Sequence, residues 1–145
     1  MSASLYGTNV QSFSIRDMTS GDLKTAWLIN QANVPAVGDE TMTSFREIFE
    51  VCSLSLVVEV NSTMAGFCMI LPPGTSYESP NYLYFCEHFG SFAYLDRVAF
   101  ADGHRGIGLG AALYREVESR LDADYLTLEV NVKPRNEGSL RFHSR

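Results

Sequence analysis

The sequence predicts a single α/β (α+β) domain, residues 1–145, whose mixed and mostly antiparallel sheet is flanked by helices. Two observations predict this class. Strand-like and helix-like patterns follow one another in the order strand, two helices, hairpin, strand, helix, strand. The hairpin requires antiparallel neighbours, whereas the late strand–helix–strand passage requires one parallel crossover. A chain of 145 residues is also long enough to bury a sizeable hydrophobic core.

The first half of the chain is predicted to hold one strand, two helices and a hairpin. Strands are assigned from alternating apolar residues, and helices from apolar residues at helical spacing that follow capping residues. The predicted elements are a strand around Phe13 and Ile15, a helix over 23–31, a helix from Thr41 or Thr43 to Cys52, and hairpin strands over 54–60 and 64–71.

The second half begins with the longest irregular stretch, residues 72–90, in which 81–88 are compatible with a short helix. Connections this long are usually segments that cover or line a functional site. A strand over 94–100 follows, then a glycine turn, a helix over 112–121 and a strand over 124–132. Pro134 ends that strand, and Asn136 or Ser139 is a candidate cap for a last helix.

The glycine turn, residues 105–111 with the sequence RGIGLGA, carries most of the functional information. Its three glycines leave the backbone without Cβ atoms, so that N–H groups are open to a ligand. The first N–H groups of the following helix have no internal partner and lie at the positive end of its dipole. A strand, a glycine turn and a helix N-terminus together predict an anion site, and the usual anion is a phosphate.

The glycine turn also fits two other interpretations, a dinucleotide-binding site and a purely structural role. Residues 106–111 also fit the dinucleotide fingerprint G-x-G-x-x-G/A, and Glu129 lies near the distance of the expected ribose-binding acid. A dinucleotide fold needs repeated βαβ units, however, and this chain has room for one. Residues 101–105 also make the connection before the glycines longer than that fingerprint has. The second interpretation is structural, with glycines that only allow close packing of helix against strand.

Composition excludes several classes of protein. A formal net charge of −6 argues against a general nucleic-acid binder. Cys52, Cys68 and Cys86 form no CxxC pair, so we expect reduced cysteines that pack in the core, and nothing near Cys86 supports a catalytic thiol. The sequence shows no secretory signal and no apolar run of membrane-spanning length. We therefore expect a soluble, cytoplasmic protein with no nucleic acid, membrane or metal among its partners.

The turn and a later segment resemble one family. Residues 105–110 are similar to the R/Q-x-x-G-x-G/A signature of the GNAT superfamily of N-acetyltransferases, and residues 136–143 resemble its N-x-x-A/S-x-x-F/L-Y segment. The order of elements also matches, so the resemblance covers most of the chain. It implies a GNAT-like fold and transfer of an acetyl group from acetyl-CoA to a primary amine of a small molecule or peptide. The alternatives are a non-catalytic acyl-CoA-binding regulatory module and a dinucleotide-binding enzyme.

The resemblance also implies a set of residues that bind coenzyme A. In the family this co-substrate lies where the fourth and fifth strands separate. Backbone N–H groups of the turn would hold the pyrophosphate, the exposed backbone of the fourth strand would pair with the pantetheine amides, and an asparagine would lie near the pantetheine arm. The corresponding positions are Arg105, Gly106, Ile107, Gly108, Leu109 and Gly110, then Val98, Ala99 and Phe100, and finally Asn136.

Acetyl transfer needs a neutral amine and a route for its proton. Family members commonly use a carboxylate on the central strands, which here implies Asp96 or Glu129. Asp96 has a structural alternative, an ion pair with Arg16 or with Arg97 of a neighbouring chain. The tyrosine that often protonates the leaving thiolate corresponds to His143, whose pKa range also suits a proton donor. The thiolate leaving unaided, or another tyrosine such as Tyr114, remains open.

The acceptor amine is the least determined feature. By resemblance, residues 33–41 and 72–90 shape its side of the cleft. Four aromatic side chains are predicted either to line a pocket for an amine or to pack as core or dimer contact: Tyr77, Tyr82, Tyr84 and Phe85. The family normally continues into two further strands that this sequence lacks. We therefore expect either a truncated form or a partner that covers the exposed edge, for example in a homodimer.

Overall fold

A computed structural model describes residues 12–88, 92–103, 108–121 and 126–128 of the chain. Nine helices and strands lie within these ranges, and a short 3-10 turn, Ser20–Asp22, leads into the first helix. They are β1 Phe13–Asp17, α1 Leu23–Ala32, α2 Met42–Val51, β2 Leu54–Val60, β3 Thr63–Leu71, α3 Pro80–His88, β4 Ala93–Phe100, α4 Leu109–Arg120 and β5 Leu126–Leu128.

The five strands form one sheet in the order β1-β2-β3-β4-β5. The first four strands are antiparallel to their neighbours, and β5 lies parallel to β4 from Ala93↔Leu126 to Leu95↔Leu128. Strand β4, helix α4 and strand β5 thus make the one parallel crossover among the described strands. The predicted mixed, mostly antiparallel sheet is confirmed, and its parallel part is confined to one edge.

Most predicted elements agree with the structure to within a few residues. Strand β2 has the predicted bounds, and α2 is capped by Thr41, whose hydroxyl accepts a hydrogen bond from the Ser44 N–H at 3.0 Å. Helix α4 begins three residues earlier than the predicted 112, because Gly108 already serves as its N-cap. The predicted strand over 124–132 is described only at 126–128, and the predicted last helix lies outside the described residues.

The sheet is covered on both faces. Helices α1 and α2 pack on one face through Leu23, Ala26 and Phe45, against strand residues such as Val57 and Phe67. Helix α4 packs on the opposite face, chiefly against β2, β3 and β4. Strand β3 is buried from residue 64 to residue 71, as a central strand covered on both faces must be. We call these the α1/α2 face and the α4 face.

A one-residue bulge in β4 decides which side chains reach each face. Met69 pairs with Arg97 while the next residue, Ile70, pairs with Leu95, so that Asp96 is the extra residue. Leu95 packs on the α4 face, whereas Ala99 belongs to the core of the α1/α2 face. The bulge therefore reverses the alternation and turns Arg97 towards α1 and α2.

Candidate functional site

The start of α4 has the geometry that the glycine turn predicts. Gly108 has φ 85° and ψ 1°, the left-handed conformation that glycine adopts at little cost. A Cβ atom at Gly108 would meet no atom of the described residues within 4 Å, and the Gly108 carbonyl accepts a hydrogen bond from the Ala112 N–H at 3.2 Å. The first N–H groups of a 12-residue helix therefore begin directly after an uncovered glycine. Such a helix start favours an anion.

Close packing does not explain the glycines of the turn that the structure describes. A Cβ atom at Gly110 would lie 3.8 Å from the Phe100 ring, an ordinary van der Waals distance. At Gly108 the requirement is the positive φ rather than a neighbour. The interpretation that these glycines only allow close packing of helix against strand therefore lacks support at these two positions.

Several predicted site residues lie outside the described residues: Arg105, Gly106, Ile107, Glu129, Asn136 and His143. Their roles stay predictions. The described part of β5 pairs with the first three residues of β4, on the N-terminal side of the predicted pantetheine contacts.

The backbone of β4 distinguishes among the three predicted pantetheine contacts. The Ala101 N–H donates to the Ala65 carbonyl at 2.8 Å, and alternate residues of an antiparallel strand face the same neighbour. Ala99 therefore directs its backbone groups to β3, whereas Val98 and Phe100 direct theirs to the opposite edge. The Phe100 carbonyl already accepts a hydrogen bond from Asn33 Nδ2 at 3.1 Å. Of the three predicted contacts, Val98 is thus the one whose backbone groups face this edge and have no hydrogen bond with another described residue, and its contact with a ligand stays a prediction.

Asp96 is a buried carboxylate in an ion pair. Its side chain is 1% exposed, and Oδ2 lies 2.6 Å from Nε of Arg97 in the same chain. Oδ1 is buried and has no hydrogen-bond partner of standard geometry in the described part of the chain. The expected partners were wrong: Arg16 pairs with Asp22 and Glu59, and no neighbouring chain is needed. Asp96 as a general base stays a prediction that would have to use Oδ1.

Arg97 was expected only as an ion-pair partner from a neighbouring chain, and its role within its own chain was missed. It is 5% exposed on the α1/α2 face. Besides Asp96 it donates to Asn30 Oδ1 at 3.0 Å and to the Gly38 carbonyl at 3.4 Å through Nη1, and to Glu40 Oε2 at 2.9 Å through Nη2. Burial alone would lower the pKa of Arg97, but the two carboxylates raise it above its ordinary value. An arginine inside an apolar strand was the signal that could have revealed this cluster.

A cavity of about 230 Å³ lies between α2 and the segment that follows β3. Three carboxylates and an aromatic ring line it, and none of its described lining residues is a lysine or an arginine. Burial and the negative charge of Asp96 raise the pKa of the Tyr77 hydroxyl, which is therefore neutral at physiological pH. The lining residues are Glu40, Ser44, Glu47, Ile48, Val51, Ser76, Tyr77 and Glu78.

The four aromatic residues predicted for the acceptor pocket have different positions. Tyr77 lines the cavity. Tyr82 is fully buried, its hydroxyl donates to the Pro72 carbonyl, and its ring meets Tyr94 edge-on with centroids 5.3 Å apart. Tyr82 therefore takes the packing role that was the alternative. Phe85 is half-buried beside these rings, and Tyr84 is exposed.

The cysteines have the character expected of core residues. All three are free, and Cys68 is fully enclosed. Burial raises the pKa of Cys52 to about 11 and that of Cys68 to about 12, so both are protonated thiols at neutral pH. Tyr114, an open candidate for the proton donor, packs against the sheet from α4, and burial raises its pKa.

No helix among the residues that the structure describes is long and apolar enough to cross a bilayer. No group of three or more His, Cys, Asp or Glu side chains among them is arranged to hold a metal ion. The expectation of a metal-free protein stays a prediction.

Comparison with known proteins gives a consistent result. The family model of the acetyltransferase (GNAT) family matches residues 23–145. No curated protein gives a significant sequence match. The fold is similar to that of the ribosomal-protein-S18-alanine N-acetyltransferase from Escherichia coli, with TM-score 0.69 and 19% identity, covering 91% of this chain and 74% of that one.

Two other solved structures are similar at comparable identity. One is a GNAT family acetyltransferase from Brucella melitensis in complex with acetyl-CoA, with TM-score 0.60, 19% identity and coverage of 82% and 76%. The other is a transcriptional regulator from Bacillus halodurans C-125, with TM-score 0.66, 18% identity and coverage of 91% and 89%. At these identities the likeness shows a shared fold.

Proposed function

Because the chain belongs to the acetyltransferase (GNAT) family, we propose that it transfers the acetyl group of acetyl-CoA to a primary amine of a small molecule or peptide. The observation that carries the proposal is the junction of β4 and α4, where Gly108 holds a left-handed conformation at the start of the helix. The antiparallel first four strands also argue against the dinucleotide interpretation, which needs a doubly wound parallel sheet.

The described residues fit the phosphate end of coenzyme A. The N–H groups at 109 and 110 precede the helix's own hydrogen bonds, and no described atom lies within 4 Å of the Cβ position of Gly108 to keep a diphosphate from approaching them. Arg105 would add a charge-assisted contact, and the Val98 backbone would pair with a pantetheine amide. Acetyl-CoA would supply the activated thioester. The chain itself would orient this thioester and bind the amine next to it.

The cavity beside Tyr77 favours a cationic amine as acceptor. Glu47 and Glu78 have no ion-pair partner among the described residues, and Glu40 adds a third carboxylate that is shared with Arg97. An ammonium group gains from such carboxylates and from the face of a tyrosine ring. The net charge of −6 acts in the same direction at long range. Loss of the amine's proton would then fall to Asp96 or Glu129, with His143 as the donor to the leaving thiolate.

Turnover tests the proposal directly. The whole chain is incubated with acetyl-CoA and, separately, spermidine, kanamycin or a short peptide with a free amino terminus. Thiol release and the mass of the product are then followed. We expect an acetylated amine for at least one cationic probe. Tight binding of acetyl-CoA without any acetylated product would contradict the proposal that the protein is an acetyltransferase. That result would instead favour a non-catalytic acyl-CoA-binding regulatory module, the second candidate, which the similarity to a transcriptional regulator keeps open.

Neutralising the free carboxylates of the cavity should weaken amine binding. In the Glu47→Gln/Glu78→Gln variant we expect KM for a cationic amine to rise roughly tenfold at low salt, since each exposed pair is worth up to about 1 kcal/mol. The effect should shrink as salt screens the charges. Glu50→Gln is the matched control, because Glu50 lies on the same helix but does not line the cavity. An equal change in the control and the double variant would contradict a role for the cavity.

A further inference from the structure

We propose that Arg97 is a positioning residue that fixes residues 33–41 against β4 and thereby sets the shape of the acceptor side. The inference rests on the proposed function for its consequence, but its structural basis is independent of it. Arg97 is one of very few buried polar or charged residues of the described chain, and it is the one that joins β4 to the α1–α2 connection.

Arg97 uses its planar fork in three directions at once. Nε donates to Asp96, Nη1 to Asn30 Oδ1 and the Gly38 carbonyl, and Nη2 to Glu40 Oε2. One side chain thus links β4, the end of α1 and the connection before α2. A lysine has a single charged nitrogen and cannot reproduce this geometry.

Glu40 is the point at which this cluster meets the cavity. Its Oε2 accepts from Arg97, and its Oε1 accepts from the Ser44 hydroxyl at 2.7 Å. Its backbone carbonyl accepts from Trp27 Nε1 at 2.8 Å, and its N–H donates to Gln31 Oε1 at 3.2 Å. Glu40 also lines the cavity. The position of the Glu40 carboxylate therefore depends on Arg97, and we expect a shift of Arg97 to move this part of the cavity wall.

Asn33 secures the other end of the same connection. Its Nδ2 donates to the Ile29 carbonyl at 2.8 Å and to the Phe100 carbonyl at 3.1 Å. The connection is thus tied to β4 at both Arg97 and Phe100, on either side of Val98. Loosening the connection at Arg97 should therefore change the shape of the cavity proposed for the acceptor amine. It should leave the proposed phosphate site at the start of α4 unchanged.

The test compares Arg97→Lys with Trp27→Phe. Trp27→Phe removes one hydrogen bond to Glu40 without touching Asp96, so it separates positioning from any effect on a candidate base. For the panel amine with the highest turnover, we expect KM to rise about tenfold in Arg97→Lys and roughly fivefold in Trp27→Phe. The affinity for acetyl-CoA should stay within about threefold of the native value in both variants, and kcat should do so in Trp27→Phe, which leaves the ion pair of Asp96 in place.

Amide hydrogen exchange of residues 33–41 in the free protein provides a readout that needs no activity. We expect exchange in this segment to accelerate roughly tenfold in Arg97→Lys. Arg16→Lys is the matched control, because Arg16 also pairs with two carboxylates, but neither of them, Asp22 or Glu59, lines the cavity. It should lower stability without changing KM.

Each outcome decides one part of the inference. Native exchange rates at 33–41 in folded Arg97→Lys would overturn the positioning role. If exchange at 33–41 is faster but KM for the amine stays native in both Arg97→Lys and Trp27→Phe, the position of this segment does not affect binding of the acceptor amine, and that part of the inference is wrong. Failure of the native chain to acetylate any amine would contradict the proposed function instead, while the exchange data would still decide whether Arg97 fixes the segment. If Arg97→Lys fails to fold, the exchange rate of residues 33–41 and KM for the amine are measured in Trp27→Phe instead.

Discussion

Replacing Gly108 with valine is expected to lower the affinity for acetyl-CoA at least about 100-fold, since two charge-assisted hydrogen bonds of 1.5–3 kcal/mol each are at stake. The native φ of 85° is strongly unfavourable for a β-branched side chain. Either the backbone leaves this conformation and the N–H groups turn away, or the valine methyl groups enter the space that the diphosphate would occupy. Isothermal titration gives the affinity, and circular dichroism confirms the fold.

Gly74→Val is the matched control for this variant. Gly74 has φ 82° and, like Gly108, no atom of the described part of the chain within 4 Å of an added Cβ, but it lies in the segment after β3. The two variants should therefore lose similar stability, while only Gly108→Val loses acetyl-CoA. Gly110→Ala should keep the fold, because its Cβ would meet the Phe100 ring at an ordinary 3.8 Å. A folded Gly108→Val protein that binds acetyl-CoA with native affinity would show that the glycine turn is not part of the acetyl-CoA site.

The largest effect on stability is expected at Gly66, in the middle of the sheet. A Cβ atom there would lie 2.3 Å from Cδ1 of Phe100 and 2.8 Å from the Ala99 carbonyl oxygen. The oxygen cannot move without disturbing the ladder between β3 and β4. Gly66→Ala should therefore reduce the free energy of unfolding by about 3 kcal/mol, the upper range for overpacking. Urea denaturation measures this change.

Two further variants show whether the Phe100 ring is the cause. Adding Phe100→Leu to Gly66→Ala should cost less than the sum of the two single changes, because the clash is shared between them. Gly21→Ala should change stability by less than about 1 kcal/mol, since its Cβ would meet Thr19 Oγ1 at an ordinary 3.7 Å. Native stability in Gly66→Ala would show that β3 and β4 are not packed this closely.

Local patterns were enough to predict the fold. The β-branched run of β2 and the apolar run of β3 flank a short connection, which defines an antiparallel hairpin without knowledge of distant residues. Thr41 likewise marks the start of α2 through a cap that involves only Ser44, three residues later. Such features depend on neighbours in sequence, so a single sequence contains them.

The polar cluster around Arg97 could not be predicted in this way. Strict alternation along β4 would place Arg97 on the same face as Leu95, the α4 face. The bulge at Asp96 reverses this placement, and the bulge depends on the register with β3. The partners of Arg97 then come from α1 and its connection, nearly 70 residues away in the case of Asn30. The error over Arg16 has the same origin, because Glu59 reaches it only through the pairing of β1 with β2.

The aromatic residues show a similar limit. Tyr77 and Tyr82 are equally apolar in sequence, yet one lines the cavity and the other is enclosed. Which of them is enclosed depends on how α3 sits against Tyr94 and Phe92. Composition predicted an aromatic segment of functional interest, but its division into core and site required the tertiary structure.

The most direct test of the central claim is a calorimetric titration of the whole native chain with acetyl-CoA and, in parallel, with NADH. A site built from the start of α4 and the edge of β4 predicts binding of one acetyl-CoA per chain, competition by coenzyme A, and no heat of binding from NADH. Binding of NADH in place of acetyl-CoA, or no binding of acetyl-CoA at millimolar concentration, would contradict it.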